Sequence, residues 1–330
     1  MASVIEGWWL RPAKPENISV GRHQVADRLR DRGIDVEVKP ATRTTAARLR
    51  REDVDVVIGT TRAGALIGGA CKLLRGTPLV VDHIDPIRQF YDTAPSWLAR
   101  PVHAGESAAF ALADHVCYVT SEDGPRVERW GRSSSKTTLG VDFGRFADPS
   151  EQSVARATAA LSDHRLDEHV AIYVGGLETT YNISSLLDAL ELADGWTLLV
   201  LGDGSLSELV RQSEHAIHLG TVPYRDVPGY LRLADVGVNL ADERTLKVLE
   251  YAAARLPIVH AAGRVADRFG DLVVPTASDP HAIAKALDEA VGMRAEALDK
   301  MQRHARERDW EVVADVYEAA IKGVLDGHEG

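Results

Sequence analysis

The chain has 330 residues, 45% of them hydrophobic, so it is long enough for two globular domains and is not intrinsically disordered. Its formal net charge of −11 disfavours nucleic acid as the main partner. No run approaches the roughly 20 apolar residues that a membrane-spanning helix needs, and no basic-then-apolar leader follows Met1.

The first half alternates short apolar runs with helical patterns. Such strand–helix–strand repeats predict an α/β fold with a doubly wound parallel sheet. The predicted strands are residues 4–10, 34–38, 55–58, 79–82 and 115–120, and the predicted helices are residues 21–33, 63–75 and 95–111.

The second half repeats this alternation, so a second sheet of the same kind is expected. Strands are predicted at residues 170–174, 196–202, 218–221, 234–240, 258–260 and 271–274. Helices are predicted at residues 182–191, 227–234, 245–254, 279–299 and 309–325.

The most informative stretch is residues 241–259, ADERTLKVLEYAAARLPIV. Glu250 is a carboxylate among apolar helix residues, and burying it without a partner would cost several kcal/mol. Asp242 lies eight positions earlier, in the loop after a predicted strand, where open α/β sheets bind ligands. The helix N-terminus at Thr245 and Leu246 suits phosphate, so the two carboxylates would bracket a polyhydroxylated, phosphorylated ligand. The alternative is an ordinary helical pair of Glu250 with Lys247.

These residues resemble the signature of glycosyltransferase family 4, the retaining nucleotide-sugar enzymes with the GT-B fold. In that family two acidic residues are separated by seven others, as Asp242 and Glu250 are here, and LKVLEYAAARLPIV matches the variant with Lys before the second Glu. The resemblance implies two Rossmann-like domains that face a cleft. It also implies that Glu250 binds the ribose hydroxyls of the donor and Asp242 the hydroxyls of the transferred sugar.

The resemblance extends into the first half. VVDHIDP is similar to the family's strand-end histidine, which implies that His83, with Asp242, forms the catalytic pair beside the transferred sugar. The alternative is a histidine satisfied by Asp82 or Asp85. Arg11, Lys14 and Arg62 are candidates for the acceptor side, although such residues are more often a solvated rim.

The donor pocket departs from the family pattern at one point. YVGGL resembles the family's glycine turn, but Gly176 and Tyr181 occupy the positions of its two basic residues, which grip the donor diphosphate. We therefore expect Arg244 or Lys247 to replace them. The predicted donor-binding residues are Glu250, Glu243, Arg244, Thr245, Leu246, Lys247, Gly175, Gly176, Gly204 and Val222.

The domain boundaries follow from the same comparison. We expect an acceptor-side Rossmann-like domain over residues 1–148 and a nucleotide-sugar-binding Rossmann-like domain over residues 149–308. Residues 309–330 are expected to form a helix that packs back on the first domain, because they resemble the family's "Wxxvaxxy" segment.

The resemblance implies an enzyme that moves a sugar from a nucleotide sugar to an acceptor with retention. That mechanism needs no protein nucleophile and no divalent metal, so no cofactor is expected. The alternative is a catalytically inactive relative that binds nucleotide sugars as a partner subunit, which the missing basic pair suggests. A sugar-phosphate or epimerase-type enzyme with the same fold is a third reading.

The expected location is the cytoplasm, because no leader is visible and Cys71 and Cys117 have no metal or disulfide pattern. A peripheral contact with the inner membrane face is a further hypothesis, with a lipid-linked glycan or polyprenyl-phosphate acceptor. It rests on aromatic residues beside cations at residues 8–14 and 90–100. The alternative is that these aromatic residues pack the domain core, and the net charge opposes adsorption.

Overall fold

The structure, a computed structural model, describes residues 4–13, 20–85, 87–242 and 245–329. It divides into two compact units, Met1–Leu139 with Trp310–Gly330 (unit 1) and Gly140–Asp309 (unit 2). The sequence-based boundaries at residues 148 and 308 lie near these division points. The segment after Leu139 is held within unit 2, because Val141 N–H donates to the Arg308 carbonyl (3.0 Å).

Within the described ranges, twelve strands and sixteen α-helices form the two units. The strands are β1 Ile5–Arg11, β2 Ile34–Pro40, β3 Val56–Thr60, β4 Leu79–His83, β5 His115–Tyr118, β6 Ser134–Lys136, β7 His169–Val174, β8 Trp196–Leu201, β9 Ala216–Gly220, β10 Val236–Asn239, β11 Ile258–Ala261 and β12 Val274–Thr276. The helices are α1 Val20–Asp31, α2 Arg43–Leu49, α3 Thr61–Arg75, α4 Ile87–Thr93, α5 Ser96–Leu112, α6 Gly124–Trp130, α7 Phe143–Ala147, α8 Glu151–Ala160, α9 Ile183–Leu190, α10 Ser207–Gln212, α11 Val227–Leu231, α12 Leu246–Ala253, α13 Arg264–Phe269, α14 Pro280–Val291, α15 Ala295–Arg306 and α16 Trp310–Glu329.

Each unit contains one six-stranded, all-parallel sheet. The strand order is β2-β1-β3-β4-β5-β6 in unit 1 and β12-β11-β10-β7-β8-β9 in unit 2. Every residue of β3, β4 and β8 is buried, as expected when helices cover both faces of a parallel sheet. The predicted α/β fold with two doubly wound sheets is therefore confirmed.

The strand order also fixes where ligands bind. In an open α/β sheet the binding crevice lies at the carboxyl ends of the strands where the order reverses. In unit 2 that point falls between β7 and β10, and in unit 1 it falls between β1 and β3. A ligand site is therefore expected at the residues that follow β7 and β10 in unit 2, or at the ends of β1 and β3 in unit 1.

The tryptophans of β1 belong to the core of unit 1. Trp8 is 4% exposed and Trp9 and Leu10 are fully buried, because β1 is an inner strand paired on both sides. The part of the membrane hypothesis that rested on these three residues is therefore wrong. Lys14, also named there, lies outside the described residues.

Helix α16 completes unit 1 through a buried polar network centred on Asp82. The Asp82 carboxylate accepts two hydrogen bonds from Arg22 (2.9 Å each) and one from the hydroxyl of Tyr317 (2.6 Å). Thr60 adds a further bond at 2.8 Å. Burial alone would raise the pKa of Asp82, but the Arg22 charge and these hydrogen bonds hold it below its ordinary value.

Some elements differ from the sequence-based expectations. The helical pattern predicted over residues 279–299 is two helices, α14 and α15, separated at Gly292. The strand predicted at residues 271–274 begins later, because a short 3₁₀ turn occupies Gly270–Leu272. Strand β6 was not expected, since its sequence, SSK, carries no apolar signal.

Candidate functional site

The site in unit 2 is built on the turn that follows β7. Gly175 has a φ of 143°, a conformation that residues with a side chain rarely adopt. Gly202, at the end of β8, approaches so closely that a Cβ there would lie 1.9 Å from the Gly175 carbonyl oxygen. Two glycines are thus required to bring this backbone to the carboxyl edge of the sheet.

Lys247 reaches this turn from the first turn of α12. Its ammonium lies 4.1 Å from the ring centroid of Tyr173 and 5.3 Å from that of Tyr181. A Cβ on Gly175 would be 2.8 Å from the Lys247 Nζ. Contacts with aromatic faces stabilise a partly desolvated cation. The structure therefore places a positive charge directly against the turn of Gly175 and Gly176.

Glu250 lies one turn further along α12 and is 6% exposed. Burial raises the pKa of its carboxyl group to about 7, against the opposing effects of a hydrogen bond from Tyr224 and the charge of Lys247. Tyr224, which acts on this pKa, is a residue to which the sequence analysis assigns no role. In the sequence Tyr224 is only a tyrosine that follows Val222-Pro223, and the fold brings it close to α12.

Asp242 is exposed and is engaged elsewhere. Its carboxylate accepts hydrogen bonds from the backbone N–H groups of Arg264 (3.2 Å) and Val265 (2.8 Å), which open α13. Gly263, with a φ of 152°, permits this approach, because a Cβ there would lie 2.4 Å from an Asp242 oxygen. Asp242 therefore satisfies the free N–H groups of a helix that the sequence reasoning did not predict.

The remaining predicted donor residues that the structure describes lie on α12 and in loops of unit 2. Thr245 is the N-cap residue of α12, but its hydroxyl makes no capping bond and is buried without a hydrogen-bond partner. Leu246 opens the helix, and Val222 lies half-buried in the loop after β9. Gly204 contacts the loop after Gly176, since a Cβ there would be 2.6 Å from the Leu177 carbonyl oxygen. Glu243 and Arg244 lie outside the described residues.

The candidates of unit 1 end or follow inner strands. Arg11 ends β1 and is 6% exposed, with a bond to the Pro12 carbonyl (3.1 Å). Arg62, in the first turn of α3, lies over the Phe90 ring (4.8 Å) and 3.5 Å from a Glu106 oxygen. Both arginines therefore stand near the point where the strand order of this sheet reverses.

His83 ends β4 and is enclosed by protein groups, with 1% exposure. Its Nε2 lies 3.2 Å from Asp123 and its Nδ1 4.0 Å from Glu106. Arg126 holds the other oxygen of Glu106 at 2.6 Å. The carboxylates beside the ring are therefore Asp123 and Glu106, whereas the alternative reading of the sequence named Asp82 or Asp85. In the sequence, the signal for Glu106 is that it is a carboxylate within an otherwise apolar helical pattern.

Two further properties concern the described residues as a whole. They contain no group of three or more His, Cys, Asp or Glu side chains placed to hold a metal ion. No helix of the described ranges is long and apolar enough to cross a bilayer.

Comparison with known proteins adds a family match for unit 2. Residues 168–292 match the family model described as Glycosyl transferases group 1. This range contains Gly175, Lys247 and Glu250. No curated protein matches the chain in sequence.

Solved structures match almost the whole chain. HepE of Anabaena in complex with UDP and glucose superposes with a TM-score of 0.77 and 15% identity, covering 97% of this chain and 100% of that one. Sucrose-phosphate synthase of Thermosynechococcus elongatus gives 0.78 and 14%, covering 98% and 100%. At such identities the likeness shows the fold, which is that of the GT-B glycosyltransferases, as predicted. The finer assignment to family 4 stays a prediction.

Proposed function

We propose that this protein is a glycosyltransferase that moves a sugar from a nucleotide sugar to an acceptor hydroxyl or phosphate, with retention of configuration. The observation that carries the proposal is the position of Lys247. Its ammonium lies at the Gly175–Gly176 turn, where the strand order of the sheet in unit 2 reverses. The family match over residues 168–292 and the fold support the general class of transferase.

The leaving group of the reaction is a nucleoside diphosphate, so its developing negative charge must be stabilised. The N-terminus of α12 supplies only about 0.3–1 kcal/mol for an exposed charge. Lys247 adds a full charge beside the same turn, and the faces of Tyr173 and Tyr181 fix its position. In this proposal Lys247 replaces the basic pair whose positions Gly176 and Tyr181 occupy.

The two carboxylates take different parts in the proposal. Glu250 accepts hydrogen bonds from the ribose hydroxyls, and Asp242 accepts from the hydroxyls of the transferred sugar while it shares its oxygens with α13. His83 is proposed to contribute a polar group for the transferred sugar, and its ring lies beside Asp123 (3.2 Å) and Glu106 (4.0 Å). The donor phosphate takes the acceptor proton, and the reaction is proposed to run without a metal ion.

Removal of the Lys247 charge tests the donor site. In Lys247→Ala we expect the dissociation constant for a nucleoside diphosphate to rise about tenfold, since hydrogen bonds to charged groups are worth roughly 1.5–3 kcal/mol. The effect should be larger at low salt, where screening is weakest. Calorimetry with UDP, GDP and ADP measures it. The matched control is Lys285→Ala, an exposed lysine of α14, and equal affinities in both variants would place the diphosphate elsewhere.

The second candidate function is a binding subunit without turnover, and the altered basic pair at Gly176 and Tyr181 is the observation that favours it. An enzyme releases a nucleoside diphosphate from its nucleotide sugar, by transfer or by slow hydrolysis. A binding subunit protects the nucleotide sugar and releases nothing. Chromatography of a panel of nucleotide sugars after incubation with the full chain separates the two.

We also propose that the acceptor is lipid-linked and that the protein contacts the membrane peripherally. The support is the exposed aromatic edge at the start of α5, where Trp97 is 75% exposed and Leu98 39%, beside Arg100. Tyr91, on α4, is a further exposed aromatic residue, with 38% of its surface exposed. An apolar edge beside cations suits an anionic interface.

Sedimentation with liposomes containing phosphatidylglycerol at low salt tests this contact. We expect the full chain to sediment in part, and Trp97→Ser to reduce the bound fraction severalfold, because an aromatic ring contributes much of the interfacial free energy. Trp130→Ser is the control, as Trp130 is also exposed, at 45%, but lies on α6. A chain that stays in the supernatant and transfers sugar to soluble acceptors alone would contradict the membrane proposal.

A further inference from the structure

We propose that Asn182 is a positioning residue of the donor site, whose side-chain amide holds the loop that carries Asp242. Its Nδ2 donates a hydrogen bond of 2.7 Å to the carbonyl oxygen of Leu240, the residue that follows β10. A carbonyl oxygen only accepts hydrogen bonds, so this contact fixes which end of the amide faces the loop. The inference rests on the role proposed for Asp242 and adds the residue that sets the position of its loop.

The bond crosses the point where the strand order of unit 2 reverses. Strands β7 and β10 are in register over two residue pairs that end at Ile172 and Gly237, whereas β7 and β8 are in register over six. Past Ile172, the N–H of Val174 donates to the hydroxyl of Tyr251 on α12 (3.0 Å). The two strands therefore separate towards their carboxyl ends, where an open α/β sheet forms its ligand crevice. Asn182 joins the segment after β7 to the loop after β10, across this crevice.

The amide makes this contact because it does not cap its own helix. Asn182 is the N-cap residue of α9, where an asparagine side chain ordinarily accepts from the first turn, but within α9, all of which the structure describes, it makes no capping bond. Its backbone has φ 55° and ψ 32°, in the left-handed region, which asparagine enters more readily than most residues with a side chain. Glycine would adopt this conformation more easily, yet it carries no amide. The residue type is thus accounted for by the bond to Leu240.

Each of the three residues after β10 is held by a hydrogen bond. The first is held by Asn182, and the carbonyl of the second, Ala241, accepts from Nδ2 of Asn239 at 3.0 Å. The Asn239 amide is fixed in turn by the buried ring of His260, whose Nε2 lies 2.9 Å away. The third residue, Asp242, is held by the opening N–H groups of α13. Asn182 supplies the link from this loop to the other side of the crevice.

The contact acts on the sugar end of the donor site rather than on the diphosphate end. Asp242, the proposed acceptor for the sugar hydroxyls, belongs to the loop that Asn182 holds. Lys247, the proposed diphosphate ligand, lies on α12, and the nearer of its two aromatic contacts is Tyr173 of β7, at 4.1 Å. A helix and a strand thus position Lys247, whereas a loop positions Asp242. Loss of the amide should therefore reduce the affinity that the sugar adds and leave the affinity for the diphosphate in place.

The test compares the affinity for a nucleoside diphosphate with that for the matching nucleotide sugar. Calorimetry of the full chain uses UDP with UDP-glucose, GDP with GDP-mannose and ADP with ADP-glucose. Asn182→Gly keeps the left-handed backbone and removes the amide, and Asn182→Asp keeps the shape and replaces the donor by an acceptor. Asp242→Asn measures what the sugar contact itself contributes.

Gln302→Ala is the matched control. It removes a bond of the same kind, from a side-chain amide to the carbonyl of Ala253 (3.0 Å), at the other end of α12. Thermal unfolding of each variant checks that it is folded.

We expect both Asn182 variants to bind the nucleotide sugar about three- to tenfold more weakly, which corresponds to the loss of one hydrogen bond. Their affinity for the free diphosphate should stay close to that of the parent. In the chain without ligand, hydrogen exchange followed by mass spectrometry should be faster over residues 240–242 in both variants, and unchanged there in Gln302→Ala. A purely structural role would instead weaken both ligands equally.

The outcomes separate this inference from the proposed function. If Asp242→Asn weakens the nucleotide sugar alone while Asn182→Gly equals the parent, the role of Asp242 stands and that of Asn182 is overturned. If Asp242→Asn binds both ligands as tightly as the parent, or the parent binds none of the three pairs, both are overturned. An equal loss for diphosphate and nucleotide sugar in Asn182→Gly, or an equal loss in Gln302→Ala, also contradicts the inference, as does unchanged exchange over residues 240–242.

Discussion

At the scale of the residue, Glu250 links stability to pH. Its carboxyl group has a pKa of about 7 in the folded chain, against an ordinary value of about 4.5. Between these two values the folded state binds a proton that the unfolded state has released. The free energy of unfolding therefore falls as pH rises from about 4.5 to 7, by up to about 3 kcal/mol in total.

We predict that Glu250→Gln is more stable than the parent at pH 8 by about 1–3 kcal/mol, because it removes a buried charge while it keeps the shape of the side chain. At pH 5 the two should unfold at nearly the same denaturant concentration. Urea unfolding at the two pH values measures the difference. Asp299→Asn, an exposed carboxylate on α15, is the control, and a parent whose stability does not fall relative to Glu250→Gln across this range would contradict the prediction.

The sequence marks Glu250 as a carboxylate inside an apolar helix and Lys247 as a lysine beside the N-terminus of that helix. It did not show their partners, since Tyr224, Tyr173 and Tyr181 are brought to α12 by the fold alone. The hydrogen bonds of Asp242 could not be predicted for a similar reason. Their donors are backbone N–H groups of α13, which nearly every residue type has, so no side-chain pattern indicates them.

At the scale of the element, the apolar runs predicted the inner strands, and polar elements were missed. Strands β7 and β8 are apolar along most of their length because both faces of a parallel sheet are covered. The edge strand β6 pairs on one side only, so its sequence needs no apolar residues. The short helix α2 begins with a Thr42 cap and carries only Leu49 and Thr45 as buried residues, too few for a helical period.

The contact of α16 with Asp82 stabilises unit 1. Tyr317→Phe should lower the free energy of unfolding by about 1.5–3 kcal/mol, as its hydroxyl bonds a buried charge. Asp82→Ala should cost about 3–5 kcal/mol, because it leaves the guanidinium of Arg22 buried without its counter-charge. The contribution of Asp82 is present at neutral pH and is lost as pH falls below the ordinary carboxyl range, since the folded pKa is lowered.

Urea unfolding of the full chain at pH 7 measures both variants. Tyr91→Phe serves as the control, because that tyrosine is 38% exposed on α4 and bonds His103 at the surface. A Tyr317→Phe variant as stable as Tyr91→Phe would show that the network adds nothing to the docking of α16.

At the scale of the whole molecule, unit 2 is one continuous stretch and unit 1 is not. The first residues of unit 2 are bonded to its last ones, as Phe143 N–H donates to the Asp309 carboxylate (2.9 Å). We therefore predict that residues 140–309 fold when produced alone, with a cooperative thermal transition. Residues 1–139 alone should not, because they lack the buried face of α16, including Trp310 and Tyr317.

Circular dichroism and thermal melts of the two fragments test this prediction. A synthetic peptide of residues 310–329, added to residues 1–139, should restore a cooperative transition, and a Tyr317→Phe peptide should restore it less well. Cooperative unfolding of residues 1–139 without any peptide would contradict the prediction.

The divided unit 1 has a consequence for how the chain is made. Ribosomes add about 5–20 residues per second, so the roughly 170 residues of unit 2 take some tens of seconds or less to follow the first 139. During that interval α16 has not yet been synthesised, so it does not cover the surface around Trp9 and Asp82 that it contacts in the folded chain. The nascent chain thus exposes an apolar face while it waits for its last helix, and this is the surface that a chaperone would bind during synthesis.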